Sequence, residues 1–484
     1  MRKIHGGVLM LACLLASVLP PALHAGTATA RAGVTVPGSG MPAATLRGAQ
    51  AGPVDDIPSY LLAITVNPRT RRLDGHMQLR FTNRTGAPLR DVVLRLYPNF
   101  PPDVFGDGGD VRMDLRNVRA EDRPATVRYE AGRTAARIAL PAPAEPGGEI
   151  RIELDWTANI RPWQRSDGTF PLPSYYPMLA AWTGEWRTDS TRFPDHVFVD
   201  AANYSATIAV PAGMQVIASG ATRLARQANG QTTYEVSAGP VRELAFSVGK
   251  WAAAHAEHQG IAVNVYHKPG DGLEASARQV ALHAAASLAV LGDRIGPYPY
   301  AELDFHLINA RRGYDIGVEF PGLIYLLVNG RYTGETRFVT AHEVAHQWWY
   351  GVVGNDIYRE PWIDEAFAQW SAVLVEEQLA GAEAGLRTYR QQVERRAQRS
   401  SAPCGMGLTT FGSWNAYYAA VYGRCAKFLQ ILRQELGDEA FFAGIRRYYA
   451  ENKHGFGSSA EVRAALEAAS GRDLQRLFKE WTGR

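Results

Sequence analysis

The hydrophobic pattern changes period once along this chain, and no other feature constrains its fold as much. From about residue 55 to 250, apolar and polar residues alternate in short runs. Examples are Tyr60-Leu61-Leu62-Ala63-Ile64-Thr65-Val66, Met77-Gln78-Leu79-Arg80-Phe81, Ile150-Arg151-Ile152-Glu153-Leu154 and Tyr204 to Val210. A period of two places successive side chains on opposite faces of a strand, so each run has one face to bury and one to leave wet. Pro, Gly, Asp and Asn separate the runs, as tight turns require. The pattern predicts an N-terminal antiparallel β-sandwich-like domain over 55–250. Past 251 the texture differs. A strand-like Ile261–Tyr266 leads into an amphipathic helical stretch at about 273–294. Strand-like runs follow at 302–309 and 323–328, and after 333 the chain reads as helix almost to its end. Strands first and helices after predict an α+β domain over 251–484.

The first residues carry a different signal. Arg2 and Lys3 precede a largely apolar run from Val8 to Leu19, and small residues follow. Residues 1–25 therefore read as a secretory signal peptide. The apolar run is shorter than the roughly 18–20 residues that span a bilayer. No later run reaches that length, so no stable membrane span is expected. Residues 26–54, rich in Ala, Gly, Thr and Pro, read as a flexible leader. The expected location is periplasmic or secreted. Net charge is +3, from 51 basic and 48 acidic residues in 484, a balance that points away from a nucleic-acid partner. Of three cysteines, Cys404 and Cys425 lie beyond the leader. They either pair or stand as two buried thiols.

The residues that carry chemistry begin at Thr340-Ala341-His342-Glu343-Val344-Ala345-His346-Gln347-Trp348-Trp349. On a helix, His342 and His346 lie four apart and share one face, so both imidazoles can bind one ion. Glu343 is rotated about 100° from His342 and is placed for water at the metal rather than for the metal. Thr336 reads as the cap of this helix, and Gly351 and Gly354 as its breakers. The bland alternative is two helical histidines with ordinary hydrogen bonds. A hydrolytic zinc site takes two His and one carboxylate, with a further position open. The next helix, opening near Pro361, brings Asp364 and Glu365 as competing third ligands.

At this point the sequence resembles a known family. His342-Glu343-x-x-His346 followed by eighteen residues and Glu365 is similar to the zinc pattern of the aminopeptidase N-like gluzincins, a group that includes the leukotriene hydrolase. The Trp362-Ile363-Asp364-Glu365-Ala366 run resembles that family's segment as well. The resemblance implies a thermolysin-like catalytic domain, one Zn2+ per chain held by His342, His346 and Glu365, and Glu343 as general base. It implies further that Ile316-Gly317-Val318-Glu319-Phe320 matches the family's Gly-x-Met-Glu motif. Glu319 would then hold the substrate's free amino group and Gly317 would let a ligand approach the backbone. Ile316 stands where Gly is usual and Val318 where Met is usual. Among Tyr417, Tyr418 and Tyr422, the segment Tyr422-Gly423-Arg424-Cys425 resembles the family's Tyr-x-Lys-Gly, with Arg424 for Lys and Cys425 for Gly. Tyr422 would stabilise the oxyanion. The resemblance is not expected to extend to the family's large helical C-terminal domain.

The expectation is an exported zinc aminopeptidase acting on peptides with a free N-terminus. A zinc endopeptidase and a catalytically silent, peptide-binding homologue are the alternatives. Trp348, Trp349, Trp362 and Trp370 read as core. Arg395, Arg396 and Arg399 read as a solvated helix face.

Overall fold

The alternating runs become strands where the pattern places them. Ser59–Asn67 buries every second residue, with Tyr60, Leu62, Ile64 and Val66 inward. It pairs antiparallel with Arg72–Thr82, which pairs in turn with Glu149–Asn159. The computed structural model describes residues 57–100, 112–161, 168–191, 197–310 and 315–483. The signal-peptide and leader readings over 1–54 lie outside these residues. Among the described residues, the first half holds an eight-stranded, a four-stranded and a three-stranded sheet. One apolar core joins them, from Tyr60 to Val248. One strand pair in these sheets runs parallel, a detail beyond the expected antiparallel sandwich. Ser59–Asn67 runs parallel to Ala202–Pro211, with Tyr60 opposite Tyr204 and their rings stacked 4.9 Å apart. A parallel pair needs a long connection, so alternation within each strand carries no sign of it.

Among the described residues, the second half is built on a five-stranded mixed sheet. Ile261–His267, Glu302–Asn309 and Leu323–Val328 are parallel neighbours, and Ile316–Val318 runs antiparallel along the edge. Helix α1 (Glu274–Arg294) makes the crossover between the first two, burying Ala277, Val280, Ala281, Ala284, Leu288 and Leu291 at helical spacing. Helix α2 (Gly334–Ala345) carries the histidine motif and α3 (Trp362–Ala380) returns beside it. The cap of α2 is Thr333, not Thr336. Thr336 sits three residues inside and closes the capping box by accepting from and donating to Thr333. The helix also ends earlier than its glycines suggest, because His346 already occupies the C-cap. Pro361 stands at the cap of α3.

All four tryptophans named above are buried, and each indole N–H has a partner: Gly296 O, Ser371 Oγ, Ser459 Oγ and Gln430 Oε1 in chain order. Satisfied indoles in a packed core agree with the structural reading of these residues. Arg395 and Arg399 are exposed, but Arg396 is half-buried, with its guanidinium 5.2 Å from the Tyr418 ring. Cys404 and Cys425 are joined by a disulfide, with Cα atoms 5.6 Å apart. No helix among the described residues is long and apolar enough to cross a membrane.

Candidate metal centre and active site

Helix spacing stacks His342 above His346, and the turn from 346 to 361 swings α3 back so that its first turn faces them. Three donor atoms converge there. His342 Nε2 and His346 Nε2 lie 3.2 Å and 3.4 Å from Glu365 Oε2, and 3.0 Å from each other. A tetrahedral zinc site with bonds of about 2.0–2.1 Å has ligand–ligand edges of about 3.3 Å. The triangle therefore matches one face of such a site, and the donor types match as well. Glu365, not Asp364, is the third member.

Asp364 has a different task, one the sequence reading left unassigned. Its Oδ1 accepts from His346 Nδ1 at 2.6 Å, and the Trp349 carbonyl accepts from the same nitrogen at 3.2 Å. With its proton on Nδ1, His346 presents the Nε2 lone pair to the ion. A metal-binding imidazole nearly always donates its other N–H to such a partner. That rule, applied to the carboxylate beside the ligand, was the available signal. His342 Nδ1 has no hydrogen-bond partner among the described residues.

Electrostatics follow from this crowding. Burial would hold the Glu365 carboxyl up, but hydrogen bonds from His342 and His346 and the His346 charge bring it below the usual carboxylate range. Burial pushes Asp364 up to about 6, against the charge and hydrogen bond of His346. His342 is pushed down by burial. For His346 burial acts downward too, but the charges of Asp364 and Glu319 outweigh it and hold the imidazole well above its ordinary value. Glu343 is buried and held well above the carboxylate range by that burial; His346 opposes the shift, and Glu319, Glu365 and Asp364 add to it. A dication at the three donors reverses much of this, since it favours every ionised carboxylate around it.

Glu319 follows the edge strand Ile316–Val318. One of its carboxylate oxygens lies within 4.8 Å of donor atoms on His346 and Asp364. The residue is half-buried, yet its carboxyl is surrounded by protein, and burial pushes it up to about 8. His346 opposes that shift, and the charges of Glu365 and Asp364 reinforce it. Gln347, one residue past the second histidine, ties this segment to the motif. Its Oε1 accepts from Gly322 N at 2.8 Å and its Nε2 donates to Phe320 O at 3.4 Å. The sequence reading missed that tether. Gly317 has a role other than contact with a ligand: a Cβ at 317 would collide with the Glu343 carboxyl, so only glycine lets the strand lie against Glu343.

Tyr422 is buried, and its ring stacks on His342 with centroids 5.7 Å apart and planes within 15°. Tyr418 also stacks on the Tyr422 ring, with centroids 4.1 Å apart. Tyr417 meets Tyr422 edge-on and is fully buried, so of the three candidates Tyr422 is the one beside the metal ligands.

Residues 324–481 match the Peptidase family M1 domain. That stretch, 158 of the 484 residues, is similar to the zinc-binding domain of the aminopeptidase N-like gluzincins. Among curated relatives, the alanine/arginine aminopeptidase of Saccharomyces cerevisiae is 26% identical over 259 residues, which are 50% of this chain and 30% of the relative. Aminopeptidase N of Streptomyces lividans is 28% identical over 158 residues, 30% of this chain and 18% of that protein. The chain thus spans less than a third of the length of either. Its architecture is matched more fully by an M1 zinc metallopeptidase from Deinococcus radiodurans. That crystal structure superposes with a TM-score of 0.68 at 22% identity, covering 88% of this chain and 94% of the other. A variant of a two-domain M1 zinc metallopeptidase bound to L-arginine gives the same TM-score, identity and coverage. The M1 fold here is therefore the two-domain form.

Proposed function

We propose that this chain is a zinc aminopeptidase that removes residues from the free N-terminus of peptides. One observation carries the reading: Glu319 stands beside the His342–His346–Glu365 triangle in a buried cluster whose carboxylates outnumber its cations. Glu319, Glu343, Asp364 and Glu365 share this space with two imidazoles. Buried like charges are costly unless paired. A dication at the triangle answers part of the excess, and a substrate ammonium at Glu319 answers more.

Zinc held by His342, His346 and Glu365 would polarise the scissile carbonyl and acidify water. Glu343 takes the proton of the attacking water and returns it to the leaving amine, as a general acid–base beside the metal-bound water does. Tyr422 donates its phenolic proton toward the carbonyl oxygen as negative charge develops. Glu319 accepts the ammonium and so fixes how far the scissile bond lies from the chain end. We propose export as well. The Arg2-Lys3 start with the Val8–Leu19 run supports it, and so does the Cys404–Cys425 disulfide, a bond typical of oxidising compartments.

The test compares one peptide in free and N-acetylated form, with products read by mass spectrometry. Stepwise loss from the free peptide alone is expected. Internal cleavage of both forms would replace the exopeptidase reading with an endopeptidase one. Zinc bound without cleavage of either form would favour the peptide-binding homologue.

A further inference from the structure

The turn after α2 holds an unusual residue. Tyr350 has φ of 95°, a conformation costly for a bulky side chain that persists only where the surroundings over-determine it. Two consecutive residues from the β half supply that constraint. Arg242 and Glu243 are both buried, in the connection between Gln231–Val241 and Ala245–Gly249. Arg242 Nε donates to Tyr350 O at 2.6 Å. Its Nη1 donates to Val199 O at 3.2 Å, and its Nη2 donates to Val352 O at 3.3 Å and to Gly455 O. A Cβ at Gly354 would collide with this guanidinium, so the turn is shaped to lie against it. Glu243 takes the other end of the same tyrosine: one carboxylate oxygen accepts from the Tyr350 phenol and the other from Ser174 Oγ.

Tyr350 matters because of the peptide group before it. The Trp349 carbonyl and the Tyr350 N–H share one plane, and φ of Tyr350 sets how that plane is turned. The N–H goes to Val353 O at 2.8 Å, and the carbonyl accepts from His346 Nδ1 at 3.2 Å. The strained torsion therefore aims a carbonyl at the metal-ligating imidazole.

We propose that Arg242 and Glu243 are positioning residues for the metal centre, acting through Tyr350 to orient His346 from outside the catalytic half. The inference rests on the zinc reading above. Its test is zinc affinity, measured by chelator competition on the purified full chain with Tyr350→Phe, Glu243→Gln and Arg242→Gln. Loss of an outer partner of a ligating histidine weakens metal binding about 10- to 100-fold, so a fall of at least about tenfold is expected in each. The Glu243→Gln/Tyr350→Phe double variant should fall no further than the worse single one, because the two act as a unit. A purely structural role would instead lower the melting temperature of metal-free and loaded protein alike. Affinity within about twofold of wild type in folded variants would overturn the proposal. If Arg242→Gln does not fold, Tyr350→Phe, which removes one oxygen atom, decides alone. Wild-type protein that binds no zinc defeats the metallopeptidase reading itself, whereas tight zinc in wild type and variants alike defeats only this inference.

Discussion

Charged groups are used in opposite ways on the surface of the β half and at the metal centre. On the β surface they meet partners of opposite sign, whereas the buried Arg242 and Glu243 of that half bond to carbonyls and hydroxyls. Arg137 bridges Glu130 and Asp91, and the Glu130 carboxyl is held below its usual range chiefly by the hydrogen bond from Arg137. In the catalytic half, carboxylates meet carboxylates in the interior, where Glu319, Glu343 and Asp364 are all pushed up by burial. The first arrangement is settled without a ligand. The second is unfavourable until something positive enters, so the contrast separates the groups that hold the fold from those kept for chemistry.

The sharpest break of that contrast is Glu343→Gln. It removes one buried charge and the proton carrier together. We expect kcat to fall about 10³-fold while zinc remains bound by metal analysis, and the metal-free protein to melt no lower than wild type. Near-normal turnover would take Glu343 out of the mechanism. Next in size is the disulfide. Replacing Cys404 and Cys425 by Ala opens a loop with a sequence separation of 21 and should cost about 3 kcal/mol in urea unfolding. A change well below 1 kcal/mol would show that packing alone holds that loop.

Glu319→Gln should lower kcat/KM on free-amine peptides about 10- to 100-fold, the worth of one charged hydrogen bond. Equal loss on blocked peptides would detach Glu319 from the amine. The same residue sharpens the comparison through pH. Its carboxyl is raised from 4.5 to about 8 in the folded chain, so the native state binds more protons than the unfolded one between those values. Stability of chelator-stripped protein should therefore fall as pH rises across that window, and Glu319→Gln should flatten the upper part of the fall. A melting temperature rising with pH there would contradict the sign. The smallest effect belongs to the surface. Arg137→Ala should change stability by less than about 1 kcal/mol and leave activity untouched.

Features that depend on local spacing were legible in the sequence. The histidine pair, the strands with alternating burial and the span of α1 follow from periods of 3.6 and 2, and the structure carries them. Choosing Glu365 over Asp364 needed the family pattern, because two adjacent carboxylates on one turn look alike to a spacing argument. The rest was set by distance along the chain. Nothing near Tyr350 signals that residues 242 and 243 will grip it. Nothing in Ser59–Asn67 signals a parallel partner at Ala202–Pro211. Thr336 reads as a cap because a hydroxyl before an apolar run fits that role, yet Thr333, three residues earlier, fits it equally well and is the one that caps.

Tyr422 lies in a π-helical segment, Ala419–Cys425, between two α-helical stretches. Each such turn holds one residue more than an α-turn, so the segment amounts to a single-residue insertion absorbed without breaking the helix. Deleting one residue ahead of Tyr422, Ala420 for example, would let the stretch relax to α-geometry with its hydrogen bonds intact. In a stretch held strictly to α-geometry, the extra residue would instead turn the ring about 100° away from His342. The placement of this phenol thus depends on the number of residues in one turn, a property that a comparison of residue identities alone does not register.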